Sequence, residues 1–308
     1  MLLNRSPRPQ ALSVVVIFHN MPREAPRTLH SLSREYQGLV HNDLYEVIAI
    51  DNGSSKPLSS DVVKSFGSDF SYHYVETDDP SPVEAINKFV VNAHFDNVMV
   101  IIDGARILSP AIARLTLTAL NAFAHPFIYT LGMHLGHRSQ NYLVGEGYNQ
   151  SIEDELLEST GWTSNGHALF SISSVALSSN GGFFSKLTES NCFTVRKEDF
   201  IKIGLYQSQF KSPGGGLCNL ELFNRLNDTE WIQPIMLLGE ATFHQFHGGV
   251  ATNVPMEQHP WESMDMEYER IMGERYSRKF RPPLYIGSFR NECAHLYNGI
   301  SRDEEPAN

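Results

Sequence analysis

No uninterrupted apolar run in the 308 residues is longer than five, and Val98–Ile102 is one of that length. A spanning helix needs roughly 20 apolar residues, so no transmembrane helix is expected. Cysteine is scarce too: Cys192, Cys218 and Cys293 are scattered and form no C-x-x-C pair. That excludes a disulfide framework and a paired-cysteine metal knuckle. Positive charge is short, with 24 basic against 35 acidic residues and a formal net charge of −11. Surfaces that hold nucleic acid usually carry a basic stripe, so no nucleic-acid partner is expected. Glycine is missing where a dinucleotide enzyme needs it. After the first apolar run the chain reads His19-Asn20-Met21-Pro22-Arg23-Glu24 instead of G-x-G-x-x-G, and no G-x-x-x-x-G-K-[ST] loop occurs. Any phosphate must then be held by a metal or by side chains. Residues 1–10 are polar, with no secretory apolar core. They are expected to be a flexible N-terminus on a cytoplasmic protein.

What is present is an ordinary globular composition, 41% hydrophobic and 19% charged, arranged in alternation. Leu12–Phe18 is a β-branched apolar run suited to a strand buried on both faces. A helical pattern with Leu29, Leu32 and Tyr36 on one face follows, then a strand, Tyr45–Ile50. A short helix near 61–66, a strand over 71–75, a helix over 83–94 and a strand over 98–102 continue the series. Ser109-Pro110 predicts the cap of the next helix. This alternation predicts an α/β fold with a mostly parallel sheet. Further on, the pattern predicts strands at 127–131, 168–172 and 231–238. Helices are expected after a capping box at Ser151, over 197–203, over 219–226 and from Pro260.

In an open parallel sheet, ligands sit beyond the carboxyl ends of the strands. Three of those ends carry polar groups: His19-Asn20, Asp51-Asn52-Gly53-Ser54 and Asp103. Such residues also make turns and caps. Their recurrence at three strand ends favours a site.

The order of these segments resembles the family 2 glycosyltransferases of the GT-A fold. Leu12–Asn20 followed by Tyr45–Ser55 is similar to that family's opening. Pro82–Asn87 and then Val98–Asp103 resemble the segment that delivers its D-x-D motif. Arg196–Phe210 resembles its basic residue, short helix and glycine turn. Gly214–Arg225 resembles its acceptor-side block, and His244–Gly249 its late histidine motif. The resemblance implies a GT-A domain over 11–250, with a C-terminal helical extension over 251–308. It implies a nucleotide-sugar donor, a UDP-sugar before a dTDP- or GDP-sugar, and a glycan or glycolipid acceptor. It also implies a divalent metal, Mn2+ or Mg2+, and an inverting transfer. Peripheral membrane contact and self-association fit the same reading.

By resemblance, Phe18, His19, Asn20, Asp51, Asn52, Asp103 and Gly104 would line the nucleotide site. Asp103 and His244 would hold the metal. Glu189, Asn191, Gly215 and Gly216 would meet the sugar or the acceptor, and Glu221 with Asn219 would do the chemistry. Two departures stand out. The D-x-D position reads Asp103-Gly104-Ala105, so a second carboxylate is missing, and Arg106 beside it either replaces some positive charge or is solvated. The usual Glu-Asp reads Cys218-Asn219, and Asn219-Leu220-Glu221 resembles instead the block of the polypeptide N-acetylgalactosaminyltransferases. A GT-A domain that binds without transferring is therefore the alternative. His134 and His137 form a second H-x-x-H pair, read as structural, and Trp162, Phe183, Phe184 and Phe193 are read as core.

Overall fold

The structure is a computed structural model and describes residues 10–179 and 181–297. Apart from Gln10, the N-terminal stretch expected to be flexible lies outside the described residues, as does the end from Ser301. The chain begins β1 (Ala11–Phe18), α1 (Ala25–Ser31), β2 (Leu44–Asn52), α2 (Ser60–Lys64), β3 (Phe70–Val75). It continues α3 (Val83–Asn92), β4 (Asn97–Ile101), β5 (Arg106–Leu108), α4 (Ile112–Ala122), β6 (Pro126–Leu135). Next come α5 (Gln140–Leu143), α6 (Gln150–Thr160), β7 (Ser173–Val175), β8 (Cys192–Arg196), α7 (Lys197–Lys202). The last elements are α8 (Cys218–Asp228), β9 (Gln233–His244), α9 (Trp261–Met272) and β10 (Leu284–Gly287).

Ten strands form one sheet in the order β10-β9-β6-β8-β4-β1-β2-β3, with β5 paired to β9 and β7 to β6. The β1–β2, β2–β3, β1–β4, β6–β9 and β9–β10 pairs are parallel, whereas β8 runs antiparallel to β4 and β6. Strand order reverses beside β1, which has β2 on one side and β4 on the other. That reversal opens the crevice in which α/β sheets bind ligands. Both faces of the sheet are covered, so Val14, Val15 and Val16 are all fully buried.

Four local expectations change. Residues 168–172 are not a strand but part of a 3-10 turn, Gly166–Ile172. There Ser171 and Ser173 hydroxyls donate back to the carbonyls of Ala168 and Leu169, which favours the turn over a ladder. The α6 cap is Asn149, whose side chain accepts from the Ser151 and Ile152 amides. Ser109 caps nothing, because its hydroxyl donates to buried Glu240 at 2.6 Å. The strand expected to end at 238 runs on to His244 through Gly239, at φ 81°. A Cβ at Gly239 would lie 2.4 Å from the Ser288 carbonyl, so only glycine fits. This longer β9 carries His244 to the end of β4. The segment after 250 holds a helix, as expected, and also β10, which extends the sheet edge.

Candidate active site

A cavity of about 920 Å³ opens at the crevice beside β1. Phe18, His19, Asn20, Asn52 and Asp103 line its sheet side, joined by Asp79. The turns here are bolted together. His19 Nδ1 lies 2.8 Å from the Asn52 carbonyl, and the Asn20 amide donates to Ser54 Oγ at 2.7 Å. Asn20 adopts a left-handed φ of 51°, which asparagine tolerates better than most side chains. Its Oδ1 accepts from Ser55 Oγ and the Lys56 amide.

Asp51 and Gly104 do not reach the wall. Asp51 is fully buried, and its oxygens accept from the Ser54 and Leu58 amides and from the Tyr72 hydroxyl. Its lone pairs hold the turn, and Asn52 is the residue of this pair that lines the cavity. Gly104 is glycine for packing: a Cβ would meet Phe18 Cδ1 at 2.3 Å and the Ile17 carbonyl at 2.4 Å.

Asp103 faces two imidazoles. His244 Nε2 is 3.1 Å and His247 Nε2 is 3.7 Å from its carboxylate oxygens. One donor atom from each of the three lies within 4.8 Å of the others. His247 lines the cavity, whereas His244 sits fully buried behind Asp103. The hydrogen-bond network assigns the His244 tautomer. Gln140 Nε2 faces the carbonyls of Leu135 and His244 and the Glu153 carboxylate. Its Oε1 is therefore the acceptor, 2.7 Å from His244 Nδ1. Burial lowers the His244 pKa to about 4 against the pull of Asp103, so the ring is neutral at pH 7 with its proton on Nδ1. Its Nε2 then faces a carboxylate 3.1 Å away, a contact that either a proton on Nε2 or a metal ion between the two groups relieves. Burial pushes the Asp103 carboxyl up, yet the positive charge around it, a protonated His244, Arg106 and His247, outweighs burial and holds the group well below the usual range. A neutral imidazole whose other nitrogen donates to a fixed amide is the usual arrangement of a metal-ligating histidine. Two imidazoles and one carboxylate fit a divalent ion, and imidazole nitrogen suits a transition ion better than Mg2+.

Arg106 also lines this floor, with its Nε 3.2 Å from Asp103 Oδ2. His134, read as structural from sequence, is on the wall too. Its Nδ1 accepts the Gln140 amide at 3.0 Å, and burial holds its pKa well below the ordinary value.

The facing wall comes from distant segments. Glu189, Asn191, Gly216 and Asn219 line it, together with Trp261 and Met264 of α9. Asn219 Nδ2 donates to Glu189 Oε2 at 2.7 Å, and Asn219 Oδ1 accepts from the buried Tyr206 hydroxyl at 3.0 Å. Glu221, expected to be the base, is not on the wall. It is 2% exposed, and Arg225 one turn later binds both its oxygens at 2.8 and 2.7 Å. At a 3.6-residue repeat, Asn219 and Glu221 face different ways, and the carboxylate on this wall is Glu189. Gly215 is also off the wall, because its absent Cβ makes room for Cys218 Sγ. The glycine turn is steadied by Glu267 of α9, which accepts from the Lys211 and Ser212 amides.

With this geometry established, comparison with known proteins gives two findings. Residues 13–115 match the model of glycosyl transferase family 2. The match takes in the β1 and β2 ends and Asp103, and it stops before Glu189 and the Asn219 block. Among solved structures, the chain is similar to S. aureus TarS 1–349 in complex with UDP-GlcNAc, at TM-score 0.51 and 12% identity, covering 78% of this chain and 60% of that one. The same fragment in complex with UDP gives TM-score 0.49 and 12% identity over 76% and 60%. The similarity thus spans about 60% of the TarS fragment's length and is one of fold, which is GT-A. No curated protein matches the chain.

Proposed function

We propose that the protein is a glycosyltransferase that moves a sugar from a nucleoside-diphosphate sugar, UDP-linked in the first instance, to a hydroxyl of a glycan or glycolipid. The observation that carries this reading is the cluster of Asp103, His244 and His247 beside the end of β4, with Asp103 and His247 on the floor of the switch-point cavity and His244 buried behind Asp103. The family match over 13–115 supports it.

In this reading Phe18, His19, Asn20 and Asn52 hold the nucleoside. Asp103, His244 and His247 hold a divalent ion, with Mn2+ favoured, which when bound offsets the charge of the departing diphosphate. The acceptor hydroxyl approaches from the Trp261 side. Glu189 accepts its proton, because one oxygen is anchored by the neutral amide of Asn219 and no ion pair competes for the group among the described residues. A hydroxyl entering from the wall opposite Asp103 attacks the anomeric carbon on the face away from the leaving group, so inversion follows. Asn191 and Gly216 border the sugar.

A panel of UDP-, dTDP- and GDP-sugars with Mn2+ tests the proposal through release of the nucleoside diphosphate. Mn2+-dependent release from at least one donor is expected. Nucleotide binding without any release favours instead the non-catalytic domain that Ala105 and Asn219 suggested.

A further inference from the structure

We infer that Arg106 is the fixed cation of a diphosphate site that functions without a metal ion, so that a divalent ion adds to the grip on the phosphates but does not create it. This rests on the nucleotide-sugar reading and deepens it.

Arg106 is the sole lysine or arginine on the cavity wall among the described residues. Its side chain is 4% exposed, and its Nε and Nη1 have no hydrogen-bond partner among the described residues. Its ion pair is with Asp103, 3.2 Å away, which is already engaged by His244 at 3.1 Å. Arg27 Nη1 and Arg281 Nε are also buried without a hydrogen-bond partner among the described residues, but neither residue lines the cavity, and Arg196 and Arg225 have every guanidinium nitrogen engaged. Arg196 donates to the carbonyls of Leu120, Phe123 and Ala124 and to Asn97 Oδ1. Arg225 donates to Glu221 and to the carbonyls of Ile203 and Leu205. A buried cation short of acceptors is costly, and one left in that state on a cavity floor is matched by an anion entering the cavity. Phosphate oxygens fit a guanidinium fork.

The local charge agrees. Two carboxylates and no metal would repel a diphosphate. Here the second acidic position is Ala105, and Arg106 lies 3.2 Å from Asp103, so their charges cancel. This pair therefore adds no net charge to the floor before any ion binds, and Arg106, which lines it, keeps nitrogens without a hydrogen-bond partner among the described residues. Arg106 opens β5 directly opposite His244 in the β5–β9 ladder, so the backbone fixes the cation at the metal-ligand cluster.

The test is calorimetric binding of uridine and UDP to the whole chain, in EDTA and again with Mn2+, for the wild type, Arg106→Met and Arg106→Lys. In EDTA the wild type is expected to bind UDP at least tenfold more tightly than uridine. Arg106→Met should lose that difference while binding uridine as the wild type does, which also shows that its nucleoside pocket is intact. Arg106→Lys, which keeps the charge without the fork, should retain part of it. Wild type that prefers UDP only with Mn2+ overturns the inference without any variant, as does Arg106→Met that keeps the preference in EDTA. If the wild type binds neither ligand even with Mn2+, the nucleotide-sugar reading fails and takes this inference with it.

Discussion

On the sheet side of the cavity the wall is made of strand ends, and each turn is tied to the next strand by short polar contacts such as Asn20 to Ser54 at 2.7 Å. On the facing side it is assembled from Glu189, the 214–219 turn and α9, segments far apart in sequence that meet only through packing. The sheet side has its polar groups mostly occupied by its own backbone, Asp51 being the extreme case. The facing side has Glu189 held by one amide and otherwise open. In the proposed reading, the first receives the rigid part of the ligand and the second handles a proton. The same contrast separates two arginines: Arg225 has spent its donors on α8 and its neighbours, whereas Arg106 has not.

The sharpest way to break this comparison is to exchange the fates of the two acceptor-side glutamates. Glu189→Gln should lower sugar transfer or donor hydrolysis by roughly 10²–10⁴-fold with UDP affinity unchanged. Glu221→Gln should leave the rate per folded molecule near wild type. It removes the charge that pairs with Arg225 and should cost about 1–3 kcal/mol in urea unfolding. Equal kinetic losses in the two variants would return the base to α8.

On the sheet side, Asp103→Asn should weaken Mn2+-supported UDP binding by about 10–100-fold, the range seen when a metal site loses one of its ordering groups. Calorimetry in Mn2+ reads it directly, and an unchanged affinity would remove Asp103 from the metal. A smaller contrast lies in two glycines. Gly104→Ala forces a Cβ into Phe18 at 2.3 Å, and overpacking of this kind costs about 1–3 kcal/mol. Gly214→Ala meets nothing within 4 Å and strains only a φ of 70°, which should cost about 1 kcal/mol. Thermal unfolding of both variants should rank them in that order, and the reverse ranking would mean that the sheet-side turn is not close-packed.

The sheet side was legible in the sequence because β-branched runs end in polar residues at every strand that bounds the crevice. Leu12–Phe18, Tyr45–Ile50 and Val98–Ile102 appear as β1, β2 and β4 within one or two residues. The facing wall was not legible, because its parts are defined by distance and not by pattern. Nothing local says that Glu221 turns inward to Arg225, or that Glu189, some thirty residues earlier, meets Asn219. His244 was singled out through its motif, but its contact with Gln140, which fixes the ring, carries no signal of its own in the sequence. His247 was passed over although the H-x-x-H spacing held it. Asp79 was missed because it sits in a turn after β3, where aspartate usually only caps. Residues 168–172 misled because the Ser171 and Ser173 hydroxyls close a turn there, where the apolar Ala168-Leu169-Phe170 alone would suggest a strand.

The account stands on the claim that one cavity, floored by Asp103, His247 and Arg106, receives the diphosphate of a sugar nucleotide. A crystal structure of the protein soaked with UDP and Mn2+ tests it most directly. The expected result has uracil against the β1 and β2 ends, Mn2+ bound by Asp103 with His244 and His247, and diphosphate oxygens within hydrogen-bond distance of Arg106. UDP bound elsewhere, or bound in this cavity with its phosphates turned away from Asp103 and Arg106, would contradict it.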